Sequence, residues 1–226
     1  MKKTHMIKIK NLTKVFKTQG ETITALNSVN LNIETSEFVA IMGRSGSGKS
    51  TLLNILGCMD KATSGEYLLA NQDVSTLSDD ELSKVRNGRI GFVFQGFHLL
   101  PRLSALENVM LPLRYTHQKV TEAGINRAKD LLIRVGLSDR IHHMPNQMSG
   151  GQIQRVAIAR SLINQPDILL ADEPTGNLDS TISEQIMSLL IELNEAGQTI
   201  VMVTHEDDIA ENANRTIHFL DGEIVK

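Results

Sequence analysis

Apolar and polar residues alternate near the N-terminus. Ile7, Ile9 and Leu12 begin a short strand, and Val29, Leu31 and Ile33 alternate again, which predicts antiparallel β structure with polar faces outward. The pattern then becomes continuous: Phe38-Val39-Ala40-Ile41-Met42 is apolar at every position, as expected of a strand covered on both faces. Leu52, Leu53, Ile55 and Leu56 follow at helical spacing, so a buried strand, a short loop and a helix stand in direct succession. Gly91-Phe92-Val93-Phe94, Asp167-Ile168-Leu169-Leu170-Ala171 and Thr199-Ile200-Val201-Met202-Val203 are three further apolar runs, each ending in polar or small residues, and they are predicted to be neighbouring central strands. Between Gln95 and Pro166 the period changes. Ala128, Leu131, Leu132 and Val135, then Ala157, Ile158, Ser161 and Leu162, follow helical spacing with few strand signals. The expected fold class is therefore α/β. A phosphate-loop core with a mixed central sheet and an N-terminal antiparallel β subdomain fill residues 1–95 and 166–226, and a helical subdomain is inserted at 96–165. No repeat of solenoid length and no low-complexity tract subdivides the chain further.

At 226 residues the chain can bury an ordinary core without covalent staples. Cys58 is the only cysteine, which excludes a disulfide framework and a thiolate metal cluster and suits a reducing compartment. No stretch approaches the roughly 20 apolar residues of a bilayer span, and the N-terminus lacks the apolar core of a signal peptide, so a membrane role is expected to run through a partner. The net charge of −3 comes from interleaved acids and bases, so no nucleic-acid partner is expected. Lys2, Lys3, Lys8, Lys10, Lys14 and Lys17 crowd the N-terminus; a solvated edge and a weak attraction to anionic lipid both fit them.

Chemistry enters with the loop between the first buried strand and its helix. Gly43-Arg44-Ser45-Gly46-Ser47-Gly48-Lys49-Ser50 matches Gly-x-x-x-x-Gly-Lys-Ser/Thr, and Thr51 continues it into the helix. Glycines in such a loop let backbone N–H groups turn toward phosphates; Lys49 neutralises β/γ charge and Ser50 is positioned to ligate magnesium, so a nucleoside triphosphate is the expected ligand. Asp172 and Glu173 end a buried strand, where a parallel sheet opens its ligand crevice. Asp172 is expected to hold magnesium and Glu173 to orient or deprotonate an attacking water. His205 also ends a strand and is a candidate contact to the γ-phosphate, whereas His5, His117, His142 and His143 read as surface residues. Gln95 stands where the strand run gives way to the helical insert. Its amide can reach magnesium or the water as the lobe swings, or it can be an ordinary cap, and the residue alone leaves both open. Ser149-Gly150-Gly151-Gln152 is a second Gly-rich turn opening a helix, suited to an anion and most simply serving the nucleotide of another copy, and Ser149 is also a plain N-cap. Phe97, Leu99, Leu100 and Leu103 fit either a groove for a partner helix or lobe core.

Taken together these motifs resemble the ATPase subunit of ATP-binding cassette transporters over nearly the whole chain, the Ser149–Gln152 turn being the feature specific to that family. The resemblance implies ATP and Mg2+ as cofactors, sandwiched between residues 43–50 of one copy and 149–152 of a second. It makes Asn177-Leu178-Asp179 an interface-crossing loop and Phe16 the adenine-stacking aromatic. Met148 and Phe16 stand where leucine and tyrosine are usual, and Ile153 interrupts a glutamine stretch. Phe94 to Pro101, Leu106 to Val109 and Pro174 to Asp179 look most like the subgroup serving macrolide and peptide export, lipoprotein release and cell division. The implied partners are a second copy, an integral membrane permease and an extracytoplasmic adaptor, with the chain peripheral on the inner face of the cell membrane. Two rival functions share these motifs. One is a regulator of the division machinery. The other is a soluble cassette acting on DNA ends or ribosomes, against which the lack of heptads and of a second Gly-Lys-Ser motif counts.

Overall fold

The computed structural model describes residues 5–17, 20–115 and 120–225; Lys2, Lys3 and His117 lie outside them. In chain order the elements are β1 (His5–Lys17), β2 (Thr22–Glu34), β3 (Phe38–Gly43), α1 (Lys49–Leu56), β4 (Ser64–Leu69), β5 (Gln72–Asp73), α2 (Asp79–Arg89), β6 (Ile90–Val93), α3 (Ala105–Met110), α4 (Glu122–Arg134), α5 (Gly150–Leu162), β7 (Ile168–Asp172), α6 (Ser180–Glu195), β8 (Thr199–Val203), α7 (Asp207–Ala210), β9 (Arg215–Leu220) and β10 (Glu223–Ile224). The strands form two sheets: an antiparallel one in the order β2-β1-β4-β5, and a six-stranded one in the order β10-β9-β3-β8-β7-β6. Within the second, β9, β3, β8, β7 and β6 are mutually parallel and β10 turns back antiparallel on β9.

The continuous apolar runs are explained by what covers each face. Val39 and Ile41 of β3, Ile168 and Leu170 of β7 and Val201 and Val203 of β8 face one cluster, shared with the antiparallel sheet and α1. Phe38, Ala40 and Met42, Leu169 and Ala171, and Ile200 and Met202 face the other, shared with α3 to α6. The helices of 96–165 thus bury their apolar side chains against the sheet as well as each other. Helix α1, at 8 residues, is too short to persist alone, and its Leu52, Leu53, Ile55 and Leu56 against the first cluster hold it under the loop that precedes it.

The N-terminal strands form the antiparallel subdomain expected of them, a sheet of their own, and β10 makes the central sheet mixed. One expectation is corrected: β1 is not short, since it runs for 13 residues through register shifts. Ile7, Ile9 and Leu12 are all fully buried although their spacing is two and then three. Asn11, left-handed at φ 50°, is the extra residue that returns Leu12 to the buried face.

Candidate functional site

The loop between β3 and α1 is pressed from both sides. A Cβ on Gly43 would collide with the Phe219 carbonyl oxygen, and one on Gly48 would lie 2.5 Å from the Ala25 oxygen. Gly48 also has φ +106°, so its position excludes a side chain on conformational grounds too. The turn between β9 and β10 braces the loop: Gly222 N–H donates to Ser47 O at 2.8 Å, and Asn27 N–H to Gly222 O at 2.9 Å. Above it opens a cavity of about 690 Å³, lined by Ser45, Gly46, Ser47, Gly48, Lys49, Ser50 and Thr51 together with Glu173 and His205, and by Ile23, Thr24, Ala25, Asp221 and Gly222.

Lys49 is buried, and its Nζ donates to the carbonyls of Gly43 (2.6 Å) and Arg44 (2.9 Å). Burial lowers its pKa, against the opposing pull of Glu173 and Asp172. Ser47 Oγ is buried and has no hydrogen-bond partner among the described residues, a state that costs about 1–3 kcal/mol and that a phosphate oxygen would relieve. Asp172 is the last residue of β7; burial and the neighbouring Glu173 raise its pKa, and Lys49 opposes them. Glu173 N–H still donates to Val203 O at 2.9 Å, but its φ of +44° takes the chain out of the sheet there. Its Oε1 meets His205 Nδ1 at 2.8 Å. Gln95 lies past the end of β6 at Val93, in a turn rather than in the strand, and its carbonyl accepts from Asn177 Nδ2 at 2.9 Å. A Cβ on Gly176 would stand 2.9 Å from Gln95 Nε2 and 3.3 Å from Glu173 Oε2, so both side chains converge on that glycine.

Among the described residues no three His, Cys, Asp or Glu side chains group as a metal cluster. Of the three expected magnesium ligands only Ser50 lines the cavity, Asp172 and Gln95 lying outside its lining; a carboxylate, a hydroxyl and an amide are oxygen donors of the kind that suits magnesium, an ion that keeps waters and takes phosphate oxygens from its substrate.

Other sequence-predicted residues, like Asp172 and Gln95, are not among those lining the cavity. Phe16 on β1 is 40% exposed with Lys14 Nζ 4.8 Å from its ring centroid; it is its register partner Ile23 that lines the cavity. Lys14 also pairs with Asp60, between α1 and β4, at 2.7 Å, and Lys10 with Glu66 on β4 at 3.7 Å, so these two lysines are engaged by neighbouring carboxylates. Ser149 to Gln152 line nothing in the cavity. They open α5, where Ser149 Oγ accepts from Gln152 N–H at 3.4 Å and Gln152 Oε1 accepts from Ser149 N–H at 3.0 Å. Gly151 lies so close to α6 that a Cβ would sit 2.5 Å from Ile182 Cγ2. Of the segment after Gln95, Leu99 packs against the helical cluster and Leu100 is exposed, so core and surface roles are divided between neighbours. His5 and His142 are exposed; His143 is half-buried, with Nε2 3.1 Å from Arg140 Nη1.

The sequence reading missed the wall formed by 23–25 and 221–222. Asp221-Gly222, with φ 48° and 83° between paired Leu220 and Glu223, is a two-residue hairpin turn whose Asp-Gly signal was available. The contribution of Ile23 to Ala25 had no local signal.

Comparison with known proteins locates these features. The family model described as "ABC transporter" matches residues 26–176, a span that holds the 43–51 loop, Gln95, Ser149 to Gln152 and Glu173. The chain is 52% identical over 220 residues to the ABC transporter ATP-binding protein YvrO of Bacillus subtilis, covering 97% of this chain and 96% of that one. It is 53% identical over 223 residues to the macrolide export ATP-binding/permease protein MacB of Chlorobaculum tepidum, covering 97% of this chain but 34% of MacB. The solved dimeric structure of a post-hydrolysis state of the ATP-binding cassette MJ0796, bound to ADP and Pi, superposes with TM-score 0.89 at 52% identity, over 98% of this chain and 97% of that one. MJ0796 is a protein of Methanocaldococcus jannaschii.

Proposed function

This chain belongs to the ABC transporter family and is an ATPase cassette of it, and on that premise we propose that two copies close on two ATP molecules and drive an integral membrane permease. The observation that carries the reading is that the two anion-suited turns are separate: residues 45–51 line the cavity and Ser149 to Gln152 do not. A turn from a second copy is what completes each site. The solved dimer of MJ0796 with ADP and Pi supports the pairing, and the name of MacB, which joins ATP-binding and permease functions, supports the membrane partner.

In this reading Lys49 leaves its loop carbonyls for the β- and γ-phosphates, and Ser47 Oγ gains its missing partner. Water attacks the γ-phosphorus while the bond to the bridging oxygen breaks; ADP leaves, and the proton of the water passes to Glu173. His205, 2.8 Å from Glu173 Oε1, keeps that carboxylate turned to the cavity. Asp172, Ser50 and Gln95 would hold magnesium, which would neutralise phosphate charge when bound. Opening and closing of the lobe is transmitted to the permease at the inner membrane face, with exposed Leu100 available to a partner helix. The exported class is peptide-like, antibiotic or lipoprotein, and an extracytoplasmic adaptor completes the assembly. Mixing Ser149→Arg protein with Lys49→Ala protein, each inactive alone, restores hydrolysis through the one intact composite site of the mixed dimer. No recovery at concentrations where wild type pairs would sink the shared site, and failure of the wild-type chain to co-purify with any permease would sink the transport role.

A further inference from the structure

The turn between Glu173 and α6 touches several parts of this machinery within a few residues. Pro174 O accepts from the buried Nε2 of Gln154, on α5, at 2.6 Å. Gly176 has Gln95 and Glu173 against it, Asn177 Nδ2 donates to Gln95 O at 2.9 Å, and Leu178 Cδ2 would lie 3.3 Å from a Cβ on Gly150. On its other side the Gln95 segment is held by Arg160, whose Nη2 and Nη1 donate to Phe97 O at 2.9 Å and His98 O at 2.6 Å. Gln95 follows the end of β6 and so has no ladder to fix it; its backbone is pinned by Asn177 on one side and the Arg160 clamp on the other. The Asn177 to Gln95 bond is solvent-accessible, so water can satisfy both groups and burial does not demand it. Its consequence is geometric.

We propose that Asn177 is a positioning residue for hydrolysis, holding Gln95 beside Glu173 at Gly176. This rests on the reading of Glu173 and Gln95 given above. The side-chain donor is the essential part, since Asn177 meets a carbonyl oxygen.

The test uses the full chain with magnesium and ATP. Asn177→Ala is expected to lower kcat about ten-fold with KM changed less than about two-fold, the scale seen when a supporting residue is lost. Asn177→Asp, of the same size but without an N–H to donate, does no better. Gln95→Ala lowers kcat by itself, and adding Asn177→Ala to it lowers kcat no further, because there is no longer a side chain to orient. In a Glu173→Gln background, light scattering finds the ATP-dependent dimer of the Asn177→Ala protein unchanged. Wild-type kcat in Asn177→Asp, a multiplicative loss in the double variant, or loss of that dimer would each overturn the proposal while leaving Gln95 in its role. Wild-type kcat in Gln95→Ala would overturn the underlying reading and the proposal with it.

Discussion

Arg160 offers the sharpest test of the packing argument. Its guanidinium sits largely out of solvent, burial lowers its pKa, and its two bonds go to successive residues in the left-handed region, Phe97 at φ 59° and His98 at φ 49°. Arg160→Met keeps most of the alkyl stem and removes the donors. Bonds from a charged donor contribute about 1.5–3 kcal/mol each, so the gross loss is roughly 3–6 kcal/mol. Freed of the clamp, the two residues recover about 1–2 kcal/mol each by leaving the left-handed region. The difference is a net destabilisation of about 1–2 kcal/mol, or a fall in Tm of roughly 2–8 °C at this chain length. Urea unfolding followed by circular dichroism reads it directly, with an unchanged slope and a lowered midpoint. Arg160→Lys, a point charge able to reach one carbonyl at a time, should fall between. If Arg160→Met unfolds within about 0.5 kcal/mol of wild type, the clamp is not what holds the loop, since that is the range of an unremarkable surface change.

Glu173→Gln should lower kcat by about 10²–10⁴ while ATP still binds, read by turnover beside a nucleotide-binding titration. If turnover persists, another group takes the proton. Gly48→Ala places a methyl 2.5 Å from the Ala25 oxygen at φ +106° and should cost about 2–4 kcal/mol of stability together with nucleotide affinity; denaturant melts and calorimetric binding check both. Burial pushes the Cys58 thiol from 9.0 to about 11, which leaves roughly 100-fold less thiolate at pH 8 than an open thiol. Alkylation by iodoacetamide should be slower by at least that factor in the native chain. Because the folded value is the higher one, the contribution to stability is complete below pH 9 and is lost as pH rises toward 11, a loss that Cys58→Ala should remove.

Where a function needs residues close together in sequence, the pattern revealed it. The Gly43 to Thr51 loop, the Asp172-Glu173 pair and the Ser149 to Gln152 helix cap each require a local backbone shape that a few adjacent side chains specify. The four continuous apolar runs announced strands covered on both faces, and β3, β8, β7 and β6 are indeed neighbours in that order. The weaker readings had local causes. The β1 bulge at Asn11 disguised a 13-residue strand as a short one, and α2 went unnoticed although Ser78 and Glu81 form a capping box at its start.

What adjacency could not carry, the tertiary structure decided. That Phe16 stays off the cavity while Ile23 lines it depends on strand register. The meeting of His205 with Glu173, 32 residues apart, follows from β7 and β8 running side by side to the same edge. The convergence of Gln95 and Glu173 on Gly176 requires a glycine where two loops from different strands cross. The sequence alone determined which loops can grip phosphate, because that is a matter of local backbone freedom and charge. Which side chains share the resulting space was settled by how two sheets and a set of helices stack, and stacking depends on contacts that no stretch of neighbouring residues contains.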